Sequence, residues 1–79
     1  MKLSDLLLVI THDQNVRICG AYPETPQEFA YKGKENLAFI TMMETPKDIL
    51  RCEVTDLMVT SSGNGKVPTI TILVELERI

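Results

Sequence analysis

The chain has 79 residues and a formal net charge of −3. This length supports one domain, because two independent hydrophobic cores cannot be built from so few residues. The acidic balance argues against general binding to nucleic-acid phosphates or to an anionic membrane surface, since both require concentrated positive charge. No segment approaches the roughly 20 apolar residues that span a bilayer. We therefore expect a single domain over residues 1–79 that has neither nucleic acid nor membrane as a direct partner.

The N-terminal segment predicts a short helix followed by a strand. Ser4 is a candidate N-cap, and Asp5 lies favourably near the positive end of the helix dipole. Apolar residues with helical spacing form a stripe that consists of Leu3, Leu6, Leu7 and Ile10. No small-residue cleavage site follows this run, so we expect no signal peptide. Val16 and Ile18 then fall on one face of an alternating segment, residues 16–20, which predicts the first strand.

The middle of the chain gives weaker signals. Prolines at positions 23 and 26 exclude a regular helix or a central strand over residues 21–27 and indicate an exposed loop. Residues 28–32 fit either a short strand or a continuation of that loop. Residues 36–42 are apolar on both faces, which predicts a strand at the centre of a sheet or in contact with another chain. Thr45 as N-cap and Pro46 as first helical residue predict one helical turn over residues 45–50.

The C-terminal third contains the clearest pattern in the sequence. Ile70, Ile72, Val74 and Leu76 recur with a period of two, which predicts a strand with one apolar face. A second β-favouring run covers residues 53–60, and the Asn64-Gly65 pair between the two runs favours a tight reversal. The two runs therefore predict a β-hairpin. The complete pattern predicts an α+β fold, in which a short N-terminal helix packs on a small, mainly antiparallel sheet of four or five strands that ends in this hairpin.

Residues with catalytic or metal-binding chemistry are scattered along the chain. His12, the only histidine, lies in a polar run without a partner motif, and we expect a solvated turn residue. Cys19 and Cys52 lie far apart and outside any metal-binding spacing. Each could act as a nucleophile or redox thiol, but the simpler interpretation is a buried small apolar residue in a reducing compartment. We therefore expect no metal, no cofactor, no catalytic residue and no enzymatic activity.

Four acidic residues on the predicted hairpin form the first candidate site. Glu53, Asp56, Glu75 and Glu77 could present a negative strip to a basic groove on a protein partner. The alternative is that these side chains form an ordinary solvated surface. No two acidic residues of the chain have a diagnostic spacing such as that of a calcium loop.

A short aromatic and basic segment forms the second candidate site. Tyr31, Lys32 and Lys34, with Phe29 nearby, could stack on a base and contact phosphates, although the overall charge opposes this. The two-faced apolar residues 37–42 could pair between chains. Together these features support the alternative of a small-molecule or nucleotide-binding protein that sequesters its ligand as a homo-oligomer.

Several motifs together resemble small proteins of unknown function that are common in phages and prophages of Gram-positive bacteria. The motifs are Met1-Lys2-Leu3-Ser4-Asp5-Leu6-Leu7-x-Val9-Ile10, Asn15-Val16-Arg17-Ile18, Pro46-x-Asp48-Ile49-Leu50-x-Cys52-Glu53-Val54-x-Asp56-Leu57 and Ile70-x-Ile72-x-Val74. In those proteins a short leading helix precedes a strand, and the chain closes in a β-hairpin; residues 21–36 do not match this outline. Some anti-CRISPR and other anti-defence proteins are similar in size, acidity and opening helix. The resemblance implies, as one role, an inhibitor that acts by occlusion, and it assigns no functional residue. The location that we expect, the cytoplasm, follows instead from the lack of a predicted signal peptide or membrane span.

Two hypotheses of different classes follow. The first is a non-enzymatic phage-type accessory protein that binds and inhibits a host protein, such as a nucleic-acid-binding defence effector, through the acidic hairpin. The second is the ligand-sequestering oligomer.

Overall fold

The computed structural model describes residues 1–60 and 68–77. Over these residues the chain forms three helices and five strands. The helices are α1 (Leu3–Val9), α2 (Ala38–Glu44) and α3 (Lys47–Leu50). The strands are β1 (Asn15–Ala21), β2 (Phe29–Lys32), β3 (Asn36–Leu37), β4 (Glu53–Thr60) and β5 (Thr69–Glu75). The predicted α+β class is confirmed, and none of the helices in the described ranges is long and apolar enough to cross a membrane.

All five strands belong to one mixed sheet. The strand order is β2-β1-β5-β4, and the short strand β3 also pairs with β1. β1 is antiparallel to β2 and β3, and β4 is antiparallel to β5. The neighbours β1 and β5, however, run parallel. The sheet is therefore mainly antiparallel, as predicted, with one parallel pair that requires the long connection over residues 22–68.

The predicted C-terminal hairpin pair is present as β4 and β5. Val54 lies opposite Val74, Leu57 opposite Ile72 and Val59 opposite Ile70. The register shifts between Val54 and Asp56, which marks a β-bulge. The predicted reversal at Asn64-Gly65 lies outside the described residues.

One hydrophobic core lies between the helices and a single face of the sheet. Its fully or nearly fully buried apolar side chains include Leu3, Leu7, Val16, Ile18, Ala38, Ile49, Ile72 and Val74. The predicted α1 stripe is confirmed, because Leu6 and Ile10 also pack partly buried against this core. We call the sheet face that carries Val16 and Ile72 the core face. The opposite face, which carries Cys19 and Leu73, is called the open face.

The predicted strand over residues 36–42 is wrong for most of its length. Only Asn36 and Leu37 pair with β1, and the chain then turns into α2. Ala38 and Thr41 point into the core at helical spacing, whereas Phe39 and Met43 are exposed. An apolar run of this length fits either period, and here the helix covers the part of the core next to β1.

Both predicted N-caps are also wrong. The N-cap of α1 is Lys2, not Ser4, because α1 already begins at Leu3, whose N–H donates to the Cys52 carbonyl at 3.0 Å. The N-cap of α3 is Pro46 rather than Thr45. Thr45 instead ends α2, where its N–H donates to the Thr41 carbonyl at 2.9 Å.

Candidate functional site

Three of the four predicted acidic residues share the open face at one end of β4 and β5. Glu53 lies directly opposite Glu75, so their side chains project from the same face. Asp56 lies opposite Leu73, two positions before Glu75 on β5 and therefore also on this face. The bulge after Val54 produces this arrangement, since without the extra residue Asp56 would share the core face with Val54.

Glu77 does not join this group. β5 ends at Glu75, and the exposed Glu77 lies beyond it, beside a depression that Arg51 and Cys52 also line. The predicted negative strip is therefore reduced to three carboxylates, Glu53, Asp56 and Glu75.

A cleft on the open face brings two of these carboxylates against apolar side chains. The cleft has a volume of about 370 Å³. Its lining residues are Ala21, Tyr22, Pro23, Pro26, Phe29, Thr55, Asp56, Leu73, Val74 and Glu75. We call it the acidic cleft.

A second bulge supplies the aromatic wall of the acidic cleft. Tyr31 lies opposite Gly20, and Phe29 lies opposite Ala21, so Ala30 is the extra residue between the two pairs. Gly20 belongs to the core face and Ala21 to the open face. The bulge therefore turns Phe29 into the cleft, while Tyr31 packs against the core.

The negative charge of the acidic cleft comes from Asp56 and Glu75. Glu53 is engaged elsewhere, because the Met1 ammonium donates to its Oε2 at 2.9 Å. This hydrogen bond, together with the ammonium charge, lowers the pKa of Glu53. Within residues 1–60 and 68–77, neither Asp56 nor Glu75 forms an ion pair. Asp56 Oδ1 accepts a hydrogen bond from the Leu57 N–H at 2.8 Å, which fixes the carboxylate beside the cleft.

This combination of groups is suited to a lysine or arginine side chain. A guanidinium can form ion pairs with the carboxylates and stack on an aromatic ring such as Phe29. The aliphatic stem of a lysine or arginine side chain can pack on the prolines. Within the described ranges no three His, Cys, Asp or Glu side chains form a group that could hold a metal ion.

The aromatic and basic residues of the second candidate site lie together at a smaller cavity. Tyr31, Lys32 and Lys34 line this cavity of about 180 Å³. The α2 segment contributes Thr41, Glu44 and Thr45 to the same lining. Gly33 holds the connecting loop in place, since its N–H donates to the Ile18 carbonyl at 2.7 Å. We call it the threonine cavity.

The two threonines of this cavity differ in their hydrogen bonding. The Thr45 hydroxyl donates to the Thr41 carbonyl at 2.6 Å. The Thr41 side chain is 6% exposed, and its Oγ1 has no hydrogen-bond partner in the described part of the chain. A buried hydroxyl without a partner has lost its water without compensation, which is unfavourable. A polar ligand in the cavity could supply the missing partner.

The remaining candidate residues, His12, Cys19 and Cys52, line neither the acidic cleft nor the threonine cavity. His12 is an exposed turn residue, as predicted. Cys19 and Cys52 are free and buried, which agrees with their interpretation as small apolar residues. Burial raises the pKa of both thiols, so neither is activated as a nucleophile. The predicted pairing of residues 37–42 between chains loses its basis, because this segment is mostly helical.

Comparisons with protein-family models, curated proteins and solved structures found no match to this chain.

Sequence reasoning missed the apolar wall of the acidic cleft and the buried hydroxyl of the threonine cavity. The Pro23 and Pro26 loop was correctly predicted to be exposed, but nothing in its pattern places it beside Asp56. Thr41 was assigned to a strand. The spacing of Ala38, Thr41 and Thr45 was a helical signal that could have identified it.

Proposed function

We propose that this protein is a non-enzymatic binding module that uses its acidic cleft to dock on a basic segment of a protein partner. The supporting observation is the placement of the carboxylates of Asp56 and Glu75, which form no ion pair with any described residue, beside the exposed aromatic ring of Phe29. An exposed carboxylate alone has little binding value, since water screens it. Carboxylates beside an apolar wall can bind a cation and exclude water from the contact at the same time.

The proposal includes inhibition by occlusion. A partner that binds nucleic acid uses a groove rich in Lys and Arg. A rigid acidic surface that occupies such a groove competes with the phosphates for these side chains. The resemblance to anti-defence proteins of phages supports the same idea, and the partner would then be a nucleic-acid-binding effector of the host cell.

The first test measures the cleft directly with a defined probe. A blocked tri-arginine peptide is titrated into isotopically labelled protein and followed by NMR. We expect chemical-shift changes at Phe29, Asp56 and Glu75 that decrease with added salt, and no change at the exposed Asp13. A matching tri-glutamate peptide serves as control. Equal shifts over the whole acidic surface would contradict a specific site.

The second test uses affinity capture of the partner from cell lysate. The Asp56→Lys, Glu75→Lys double variant should weaken capture by at least about tenfold, because like charges then face the partner. The Asp13→Lys, Glu44→Lys double variant has the same change in net charge at exposed positions outside the cleft and should retain capture. An equal loss of capture in both variants would mean that the effect comes from the overall charge and not from the acidic cleft. If the partner binds nucleic acid, the wild-type protein should compete with that binding.

A second candidate function is the binding of a small anionic ligand at the threonine cavity. The Thr41 hydroxyl, which has no hydrogen-bond partner among the described residues, favours it. Lys32 and Lys34 also favour an anion, whereas the carboxylate of Glu44 in the same lining opposes it. The volume of about 180 Å³ is smaller than most ligand pockets. The cavity could therefore hold a phosphate group beside Lys34, with the rest of a nucleotide outside.

Thermal unfolding with inorganic phosphate and with a mononucleotide tests this candidate. Added ligand should raise the Tm of the wild-type protein, and Lys34→Ala and Thr41→Val should each reduce that increase. Native mass spectrometry of protein purified from cells should also detect a retained small ligand. An unchanged Tm and a ligand-free mass would leave the acidic cleft as the functional site.

A further inference from the structure

Strand β4 has a free outer edge in the sheet formed by the described residues. Its inner edge pairs with β5. The N-terminal segment covers the beginning of the outer edge, since the Leu3 N–H donates to the Cys52 carbonyl and the Val54 N–H donates to the Met1 carbonyl at 2.8 Å. Over residues 55–60 this edge has no backbone partner from the described chain. We call residues 55–60 the edge window.

Two residues of the edge window direct their backbone groups away from β5. The Leu57 N–H donates to Asp56 Oδ1 rather than to the β5 backbone. Because backbone groups alternate between the two sides of an antiparallel strand, Val59 has the same outward orientation as Leu57. The window therefore offers two positions, separated by one residue, that can extend the hydrogen-bonded ladder.

The edge window is also apolar. Leu57, Met58 and Val59 are 49%, 45% and 71% exposed. Leu57 and Val59 lie opposite Ile72 and Ile70, so they continue the core face to the edge of the sheet. Natural edge strands are commonly protected by charged side chains or proline. Asp56 is the charged residue of the edge window, and residues 57–60 contain neither a charged side chain nor proline.

We propose that the edge window pairs with the same window of a second copy of this chain, antiparallel about a two-fold axis at Met58. In this register Leu57 lies opposite Val59 of the second copy, and the reciprocal pair completes the symmetric ladder. Asp56 lies opposite Thr60 of the second copy. Apolar side chains therefore meet apolar side chains, and no carboxylate faces another.

The neighbouring registers are less favourable. An axis at Leu57 would place Val59 opposite Thr55 and Met58 opposite Asp56 of the second copy. An axis at Val59 would place Met58 opposite Thr60. Both bury fewer apolar pairs than the axis at Met58, so the sequence of the window favours this register when two copies pair.

The contact is small. Three partly exposed side chains bury less than the roughly 800 Å² per partner of a standard interface. We therefore expect a dimer that dissociates on dilution in the micromolar range. The inference does not rest on the acidic cleft, although Thr55 and Asp56 belong to the edge window and also line that cleft. A dimer would present two such clefts to a partner.

Sedimentation velocity over a concentration series tests the dimer. The wild-type protein should convert from monomer to dimer as its concentration rises, and Val59→Lys should remain monomeric at concentrations where the wild type is dimeric. Met43→Lys is the matched control, because it replaces an exposed apolar residue on α2, whose main contacts are with α1, β1 and β3. It should dimerise like the wild type. A wild-type protein that stays monomeric up to millimolar concentration would overturn the proposal.

A second variant separates strand pairing from general apolar association. Val59→Pro removes an outward N–H that β5 does not use, so the fold should be retained and dimerisation lost. In the wild-type protein, hydrogen exchange of the Val59 amide should slow as the concentration rises. A dimer that persists in Val59→Pro, or a Val59 amide whose exchange is independent of concentration, would refute edge pairing even if the protein self-associates. If Val59→Pro does not fold, the exchange measurement alone decides between these outcomes.

Discussion

Glu53 and Glu75 lie directly opposite each other on antiparallel strands, with both carboxylates on the open face of the sheet. Like charges at opposed positions destabilise a sheet. The Met1 ammonium, 2.9 Å from Glu53 Oε2, offsets this repulsion. Because the ammonium engages Glu53, Glu75 is the member of this pair that is available at the acidic cleft, together with Asp56.

The Met1–Glu53 ion pair predicts a specific pH dependence. Because the hydrogen bond and charge of the ammonium lower the pKa of folded Glu53, the pair stabilises the fold above the pKa of unfolded glutamate. This contribution is lost as the pH falls through the lower, folded-state pKa. Acetylation of the amino terminus should therefore raise the NMR titration midpoint of Glu53 and lower the Tm at neutral pH but not in strong acid.

The Glu53→Gln variant is the control for this experiment. Its Tm should respond much less to acetylation, since the carboxylate partner is absent. The same Glu53 titration midpoint in free and acetylated protein would show that the ion pair does not form in solution.

Gly20 is required by the close approach of Leu76 to β1. A Cβ at position 20 would lie 2.6 Å from Leu76 Cδ2 and 3.3 Å from Val74 Cγ2. We expect Gly20→Ala to destabilise the fold by about 1–3 kcal/mol, because the buried Leu76 must move within a packed core. Urea unfolding measures the change.

A double-mutant cycle with Leu76→Ala tests this cause. Removing the Leu76 side chain beyond Cβ should make the added cost of Gly20→Ala fall to less than half of its value in the wild-type background. Strictly additive effects would mean that the Gly20 substitution acts through something other than the Leu76 contact.

The success of sequence reasoning followed the strength of local periodicity. The α1 stripe, β1 and β5 were predicted because apolar residues recur there with one clear period. The run of residues 38–44 fits two periods, and only its position beside β1 decides for a helix. The parallel pairing of β1 with β5 depends on contacts between residues more than 50 positions apart, such as Val16 and Ile70.

Only the carboxylates at the acidic cleft, and not its apolar wall, were predictable from the sequence. Glu53, Asp56 and Glu75 were selected from their charge and their place on the hairpin. That Asp56 shares their face depends on the bulge after Val54, and the position of Phe29 depends on the bulge at Ala30. A single inserted residue reverses the facing of everything beyond it, and the extra residues Thr55 and Ala30 are neither glycine nor proline.

Thr41 and Thr45 should respond in opposite ways to the same substitution. Thr41→Val replaces a buried hydroxyl, which has no hydrogen-bond partner in residues 1–60 and 68–77, with a methyl group of similar size. We expect a gain of about 1 kcal/mol in the free energy of unfolding. Thr45→Val removes the hydroxyl that donates to the Thr41 carbonyl, and we expect a loss of about 1 kcal/mol. Both are measured by urea unfolding without added ligand. A lower free energy of unfolding in Thr41→Val would show that the Thr41 hydroxyl of the wild-type protein has a hydrogen-bond partner in solution.

The two cysteines should differ in their reactivity toward a disulfide reagent such as DTNB. Burial raises the pKa of both thiols, so at neutral pH both are protonated and should react far more slowly than a free cysteine.

The charges of Arg17 and Lys32 partly counteract the effect of burial on the pKa of Cys19. At Cys52 a backbone hydrogen bond from Glu77 opposes burial, while the charges of Glu77 and Asp48 add to its effect. Because cations beside Cys19 attract the anionic reagent and anions beside Cys52 repel it, we expect Cys19 to react faster than Cys52, as measured in the single-cysteine variants Cys52→Ala and Cys19→Ala. Added salt should reduce the difference and urea should remove it, because unfolding exposes both thiols to the same solvent. A faster reaction at Cys52 under native conditions would contradict the electrostatic explanation.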